Sequence, residues 1–203
     1  MVDIGCGTGT FACQLAARGV LAVGLDPAAA SLDVARRKPA AEQVRWIESG
    51  ATAIPALRAD VVTMTGNVAQ VFLDDAEWSQ VLNSVQRALR PGGCFVFEAR
   101  EPNVREWQRW TKDSTRAVCD TLTEGRVEHW AELTEVSLPL VSFRHDYLFE
   151  RDQALLTSSS TLRFRSRAEI EHSLTTEGFR VFAVRDAPDR PGLENVFLAR
   201  SLP

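Results

Sequence analysis

The sequence of 203 residues predicts an α/β fold, a doubly wound and mostly parallel sheet. Three observations carry that prediction. Short apolar runs that read as buried strands alternate with stretches of helical period. The first run, Met1 to Ile4, ends in a turn holding Gly5, Gly7 and Gly9, and a helical stretch starts directly behind it. The next run ends in an acid, Asp26, at the strand end where open α/β sheets bind ligands.

The glycine turn has a chemical reading. Without Cβ atoms its backbone can bend sharply and approach a ligand closely. The helix behind it directs free N–H groups and a positive dipole end at the turn, so one end of a nucleotide-like ligand can sit there. Asp26 stands at the right distance for a carboxylate that accepts two ribose hydroxyls. A dinucleotide fingerprint would continue G-x-G-x-x-G, but its third glycine position is Thr10 here.

The remaining elements follow in order. Residues 11–18 read as a helix with Phe11, Ala12, Leu15 and Ala16 as its apolar stripe and Gly19 as its stop. Residues 20–25 form the second strand and 27–37 the second helix, with Leu32 and Ala35 facing inward. Strands at 44–48 and 60–65 come next. Asp74 and Asp75 open a helix to about residue 89, with Trp78, Leu82, Val85 and Leu89 on one face. The turn Arg90-Pro91-Gly92-Gly93 leads into a strand at 94–99. Residues 103–165 break the alternation. They read as a short helix carrying Trp107 and Trp110, then a meander of three strands at 127–136, 141–150 and 155–165. Ser166 and Glu169 form a capping box for a helix ending before Gly178, and strands at 179–185 and 196–200 close the chain.

Composition sets the outer limits. The chain is 45% hydrophobic and 25% charged, as in a soluble globular domain, and its length suits one domain over 1–203 with an inserted region at about 103–165. A net charge of -4 does not suggest a nucleic-acid partner. No apolar run reaches membrane-span length, and no leader precedes the glycine turn, so a cytoplasmic protein is expected. Cys6, Cys13, Cys94 and Cys119 form no C-x-x-C pair and no metal pattern, and they read as reduced thiols. Cys6 is either a small side chain suited to a tight turn or a thiol facing the ligand.

The run Asp3-x-Gly5-x-Gly7-x-Gly9, followed by Gly24-Leu25-Asp26-Pro27, resembles motif I and the post-I acid of class I S-adenosylmethionine-dependent methyltransferases. The resemblance covers roughly residues 1–100 and 166–200. It implies a Rossmann-like sheet of seven strands with the last antiparallel, S-adenosylmethionine as cofactor, and a small-molecule methyl acceptor. On it, Asp3, Gly5, Cys6, Gly7 and Gly9 meet the methionine part of the cofactor, and Asp26 and Pro27 the ribose. Gly50 stands where the family often has an acid for the adenine amino group, with Glu48 or a backbone carbonyl as substitutes, and Ala51 N–H can serve the ring. Thr65, Gly66 and Asn67 fall in motif IV, which borders cofactor and acceptor. Asn67 either bonds a ligand or caps the next turn.

The family usually carries helices ahead of motif I, and here motif I begins the sequence. The start is then truncated, or was placed too late, or the fold tolerates the loss. Glu98 and Arg100 are either acceptor contacts or a mutual surface pair. His129, Glu132, His145, Asp146, Tyr147 and Arg163 either reach across the site from the meander or lie on a solvated face. No catalytic base is assigned. Methyl transfer to a small molecule is the first functional reading. A protein of this fold with weak or no catalysis is the alternative, and a nicotinamide-dependent oxidoreductase ranks below both. The acceptor and the oligomeric state stay open.

Overall fold

A computed structural model describes residues 1–121 and 123–203. Its first five strands are β1 (Val2–Ile4), β2 (Ala22–Asp26), β3 (Val44–Glu48), β4 (Ala59–Met64) and β5 (Leu89–Arg100). A meander follows, made of β6 (Ala117–Thr121), β7 (Gly125–Ser137), β8 (Leu140–Phe149) and β9 (Leu155–Arg163), and then β10 (Phe179–Asp186) and β11 (Glu194–Ser201). The helices are α1 (Thr10–Ala16), α2 (Ala29–Ala35), α3 (Asp75–Ala88), α4 (Lys112–Thr115) and α5 (Arg167–Thr176).

The main sheet has seven strands in the order β10-β11-β5-β4-β1-β2-β3. The pairs among β1 to β5 are parallel, and β11 runs antiparallel to both β5 and β10. The chain order reverses at β1, which lies between β2 and β4, and that reversal opens a crevice at the carboxyl ends. The core beside it is aromatic. Phe97 stacks on Phe95 at 4.6 Å and on Phe197 at 5.1 Å, and Trp78 of α3 meets it edge-on at 5.8 Å. The inward face predicted for α3 is buried at Trp78, Leu82 and Val85, with Leu89 just beyond. Asp74 caps α3 by accepting Glu77 N–H at 2.7 Å. The Ser166–Glu169 capping box on α5 is present as expected.

Four features differ from the sequence reading. The meander has four strands, because Ala117–Thr121 pairs with β7. That strand is exposed along its whole length, so it carries no apolar alternation to read. The short helix with the tryptophans is two 3₁₀ turns, Pro102–Val104 and Glu106–Arg109, ahead of α4. In α1 the buried residues are Ala12, Cys13 and Ala16, while Phe11 is exposed, because small side chains bring the helix close to the sheet. Strand β5 starts at Leu89: the ladder with β4 passes from the Ala59–Leu89 pair to the Val61–Cys94 pair, and the Pro-Gly-Gly turn bulges out between them.

The second sheet, in order β6-β7-β8-β9, is fastened by its own cluster. Trp107, Val141, Leu162 and Phe164 are buried together, and Trp110, Leu133 and Phe143 pack on them. Leu133 N–H also donates to Trp110 O at 2.8 Å, so the connecting turns lie along the edge of β7.

Candidate functional site

The crevice beside β1 is a cavity of about 390 Å³. Gly5, Asp26, Pro27, Gly50 and Ala51, all singled out from the sequence, line it together. Five further lining residues were not anticipated: Thr52, Val68, Val71, Phe72 and Glu77. Val68 lies within the motif IV loop, which runs from Gly66 to Gln70, and Val71 and Phe72 follow it; the available signal was an apolar run on a loop, with Val71 left half exposed. Glu77 arrives on the first turn of α3. It is an acid beside Gly50, whereas Glu48 is exposed and does not line the cavity.

The glycine loop is locked from two sides. Gly5 N–H and Cys6 N–H both donate to Leu25 O, at 2.8 and 3.1 Å. Gly7 N–H donates to Asp26 Oδ2 at 2.8 Å, and Ala28 N–H to Asp26 Oδ1 at 2.9 Å. Each carboxylate oxygen therefore spends one acceptor site on the backbone and keeps one for the cavity. Gly5 has φ +67°, and a Cβ there would come within 2.6 Å of Val68. Gly9 lies outside the cavity lining: a Cβ on it would meet the Trp46 ring at 2.4 Å, so it serves close helix–sheet packing.

Asp3 lies under the loop and is buried. Its Oδ1 accepts from Thr63 Oγ1 at 2.8 Å, and its Oδ2 has no partner among the described residues. Burial is the main cause that lifts its pKa to about 6; the Thr63 hydrogen bond lowers it and nearby Asp26 raises it. Burial, with Asp3 and Asp26 adding to it, pushes the Cys6 thiol up to about 12. A thiol held protonated is a poor nucleophile.

Motif IV is tied to the far strands. Gly66 N–H donates to Glu98 Oε1 at 2.6 Å. Asn67, buried and left-handed at φ 62°, donates from Nδ2 to Glu194 Oε1 at 2.7 Å, while its Oδ1 has no partner among the described residues. Its side chain makes no cap bond to the following turn. Thr65 is half-buried at the end of β4. Glu98 and Arg100 do not pair with each other. Arg100 binds Glu106 at 3.0 Å and Gln70 at 3.1 Å, lies 3.9 Å from buried Glu194, and stands over the Trp110 ring at 5.5 Å.

A second recess, of about 310 Å³, opens on the meander side of Arg100. Its walls include Trp110, Phe143 and Trp130, and two histidines, His129 and His145, face it. Burial, with His129 close by, pulls the His145 pKa below its usual value. The other polar groups of the meander go elsewhere. Asp146 is buried and accepts from Arg144 and Thr157, Glu132 accepts from Arg144, and Arg163 binds Asp75 and Leu73 O. Tyr147 lies beside His145 and stacks on His129 at 5.7 Å, outside the recess lining.

Residues 1–93 match a family model described as a methyltransferase domain. The chain is 30% identical over 188 residues to a demethylmenaquinone methyltransferase of Clavibacter sepedonicus, covering 88% of this chain and 69% of that one. It is 31% identical over 128 residues to a cypemycin N-terminal methyltransferase of a Streptomyces species, covering 63% of this chain and 51% of that one. The chain thus spans about half the length, or less, of the first curated relatives it matches. Among solved structures, it is similar to the CcbJ methyltransferase of Streptomyces caelestis at a TM-score of 0.80, with 20% identity, covering 100% of this chain and 83% of that one. It is also similar to the sugar N-methyltransferase KedS8 of a Streptoalloteichus species at 0.79, with 18% identity, covering 100% and 79%.

Proposed function

The chain belongs to the class I S-adenosylmethionine-dependent methyltransferases, and from that premise we propose that it methylates a small molecule seated in the recess between Arg100 and the meander. The observation that carries this reading is the adjacency of two differently built cavities. One is a glycine-and-carboxylate cleft suited to a nucleoside, and the other is an aromatic recess with two histidines. Asn67, next in the chain to Val68 of the cleft, binds Glu194, which lies 3.9 Å from Arg100 of the recess.

The residues of the cleft fit S-adenosylmethionine. The free acceptor sites of Asp26 suit the ribose hydroxyls, and the glycine backbone at Gly5 admits close approach where a Cβ would collide. The unpartnered Oδ2 of Asp3 lies beneath the loop as a buried negative group, complementary to a cation above it. Glu77 takes the position for an acid that Gly50 leaves open, and Ala51 lines the same end. When bound, the cofactor supplies a methyl group activated on a sulfonium centre.

The chain's own residues then position the acceptor and manage its proton. Trp110 and Phe143 exclude water and grip an apolar or ring-shaped body. His145, held neutral near pH 7 by its lowered pKa, can take a proton from an ammonium or hydroxyl acceptor. KedS8 and the cypemycin enzyme are named for N-methylation, which supports an amine as the first acceptor class to try. Residues 1–203 act as one domain in this reading. Its free thiols support the cytoplasm as its compartment.

The test is calorimetry with S-adenosylmethionine and S-adenosylhomocysteine, followed by methyl-label transfer to a panel of small amines, phenols and alcohols. Binding and turnover of at least one acceptor are expected, with His145→Ala removing the acid limb of the rate–pH profile. Absence of binding at millimolar cofactor, or a turnover and pH profile indifferent to both His145→Ala and Trp110→Ala, would sink the reading.

A further inference from the structure

The two sheets have four edges, and three of them carry the usual guards against pairing with another chain. Edge strand β3 holds Arg45 and Glu48, and β6 holds Asp120. Strand β10 holds Arg180, Arg185 and Asp186, and its register shifts between Val181 and Ala183. Charges and bulges of this kind keep an open edge from templating a second strand. The fourth edge, β9, holds one charge, Arg163 at its last residue, and that side chain is tied back to Asp75 and Leu73 O. From Ala154 to Leu162 there is no charge and no proline, and the ladder with β8 is continuous from Leu155 to Arg163. Leu155 to Ser160 are all exposed.

The sequence of β9 is also a palindrome. Leu156-Thr157-Ser158-Ser159-Ser160-Thr161-Leu162 reads the same in both directions about Ser159. An antiparallel partner related by a two-fold axis places residue i opposite residue j and j opposite i. About Ser159 that rule sets Leu156 against Leu162, Thr157 against Thr161, Ser158 against Ser160, and Ser159 against its own copy. From Leu156 to Leu162 every cross-strand pair is then like with like; the outermost pair sets Leu155 against Arg163, whose guanidinium is already held by Leu73 O and Asp75. Thr–Thr and Ser–Ser pairs are favourable across antiparallel strands.

We propose that β9 is an interface between two copies of this chain, paired antiparallel about Ser159 so that the two meanders form one continuous eight-stranded sheet. The surroundings fit that occupant. The C-terminal end of β9 lies against the turn Val68–Val71, where Gln70 reaches Arg163 O and Arg163 holds Leu73 O. Val71 and Leu73 are exposed there, and so are Leu155 and Leu156 at the other end. The two-fold brings Leu156 of the second copy toward the end that Val71 and Leu73 flank, so exposed apolar groups cover one another at both ends of the ladder. The same turn lines the nucleoside cleft through Val71, which sets the interface next to the candidate site without using any of its polar groups.

Sedimentation equilibrium on the full chain tests the pairing. The expected mass at about 100 μM is twice that of the monomer. Ser159→Glu should return it to the monomer, because two carboxylates then oppose each other at the axis. Within one copy that glutamate faces Arg144 across the ladder, so the thermal midpoint should hold. A second variant reads geometry directly. Opposed residues in an antiparallel pair lie about 4.5–5.5 Å apart at Cα, within disulfide reach. In a Cys119→Ser background, Ser159→Cys should form a covalent dimer on mild oxidation, and Leu21→Cys, exposed elsewhere, should not. A monomeric wild-type mass, a dimer unaffected by Ser159→Glu, or no cross-link at Ser159→Cys would each overturn the proposal.

Discussion

The Asp26 carboxylate accepts the N–H of Gly7 at 2.8 Å, across nineteen residues of chain. An acid expected only to hold a ribose is therefore also the clamp that gives the glycine loop its shape. Asp26→Ala should lose both roles. Removing a hydrogen-bonded buried carboxylate costs about 1.5–3 kcal/mol, so S-adenosylhomocysteine binding should weaken roughly 10- to 100-fold and the melting temperature should fall. Asp26→Asn can still accept one backbone N–H and should recover part of the stability. Calorimetric titration and scanning calorimetry on the pair separate the roles; a full return of affinity with Asn would mean that the clamp alone mattered.

Asp3 predicts a pH dependence. Its native pKa of about 6 lies above the ordinary value of 3.8, so the native state holds this proton more tightly than the unfolded chain. The sign follows: its favourable contribution is fully present below about pH 4 and is lost as pH rises through 6, at a cost of about 3 kcal/mol. Asp3→Asn removes that loss. Urea denaturation at pH 4.5 and 7.5 should show the variant gaining stability on the wild type at the higher pH. A difference between the two proteins that stays constant with pH would rule out this account.

Gly7 and Gly9 should respond differently to alanine. Both have positive φ, at +52° and +75°. A Cβ on Gly7 meets nothing within 4 Å, so Gly7→Ala pays only backbone strain of about 1–2 kcal/mol. A Cβ on Gly9 would collide with the partly buried Trp46 ring and lie 2.7 Å from the buried Ala35, so Gly9→Ala should cost clearly more and lower the yield of folded protein. Equal melting temperatures for the two variants would contradict the packing role of Gly9.

Glu77 should matter to cofactor affinity with little effect on folding. Its side chain lines the cavity beside Gly50 and Ala51, while its backbone N–H is what the Asp74 cap uses. Glu77→Ala keeps that cap and should weaken S-adenosylhomocysteine binding by about 1–2 kcal/mol, or 5- to 30-fold. Titration of the variant alongside Glu48→Ala, which should bind normally, checks which acid serves this end.

Much of the frame was legible because it is written in local rules. The capping boxes and caps of α3 and α5, the buried face of α3 and the exact span of β3 all follow from neighbours within a turn or a strand. Where local signals were silent or shared, the reading slipped. Strand β6 is solvated on both faces and shows no period, and Phe11 fell in phase with a buried stripe that α1 fills with alanines and Cys13. Glu98 and Arg100 read as either acceptor contacts or a mutual pair, and their partners are Gly66 for Glu98 and Gln70 and Glu106 for Arg100, two of them about thirty residues back in the chain.

The sequence by itself determined the glycine loop, Asp26 at the end of β2 and the alternation of strands with helices, since a left-handed glycine, a short buried run and a turn each need only their own neighbours. The tertiary structure decided what completes the site. Glu77 and Phe72 line the same cleft as Gly50 because the packed sheet brings α3 and its leading loop there, and Asn67 is fixed by Glu194, 127 residues away. Buried polar groups take whichever partner the packed sheet brings within 3 Å, and no pattern along the chain encodes that distance.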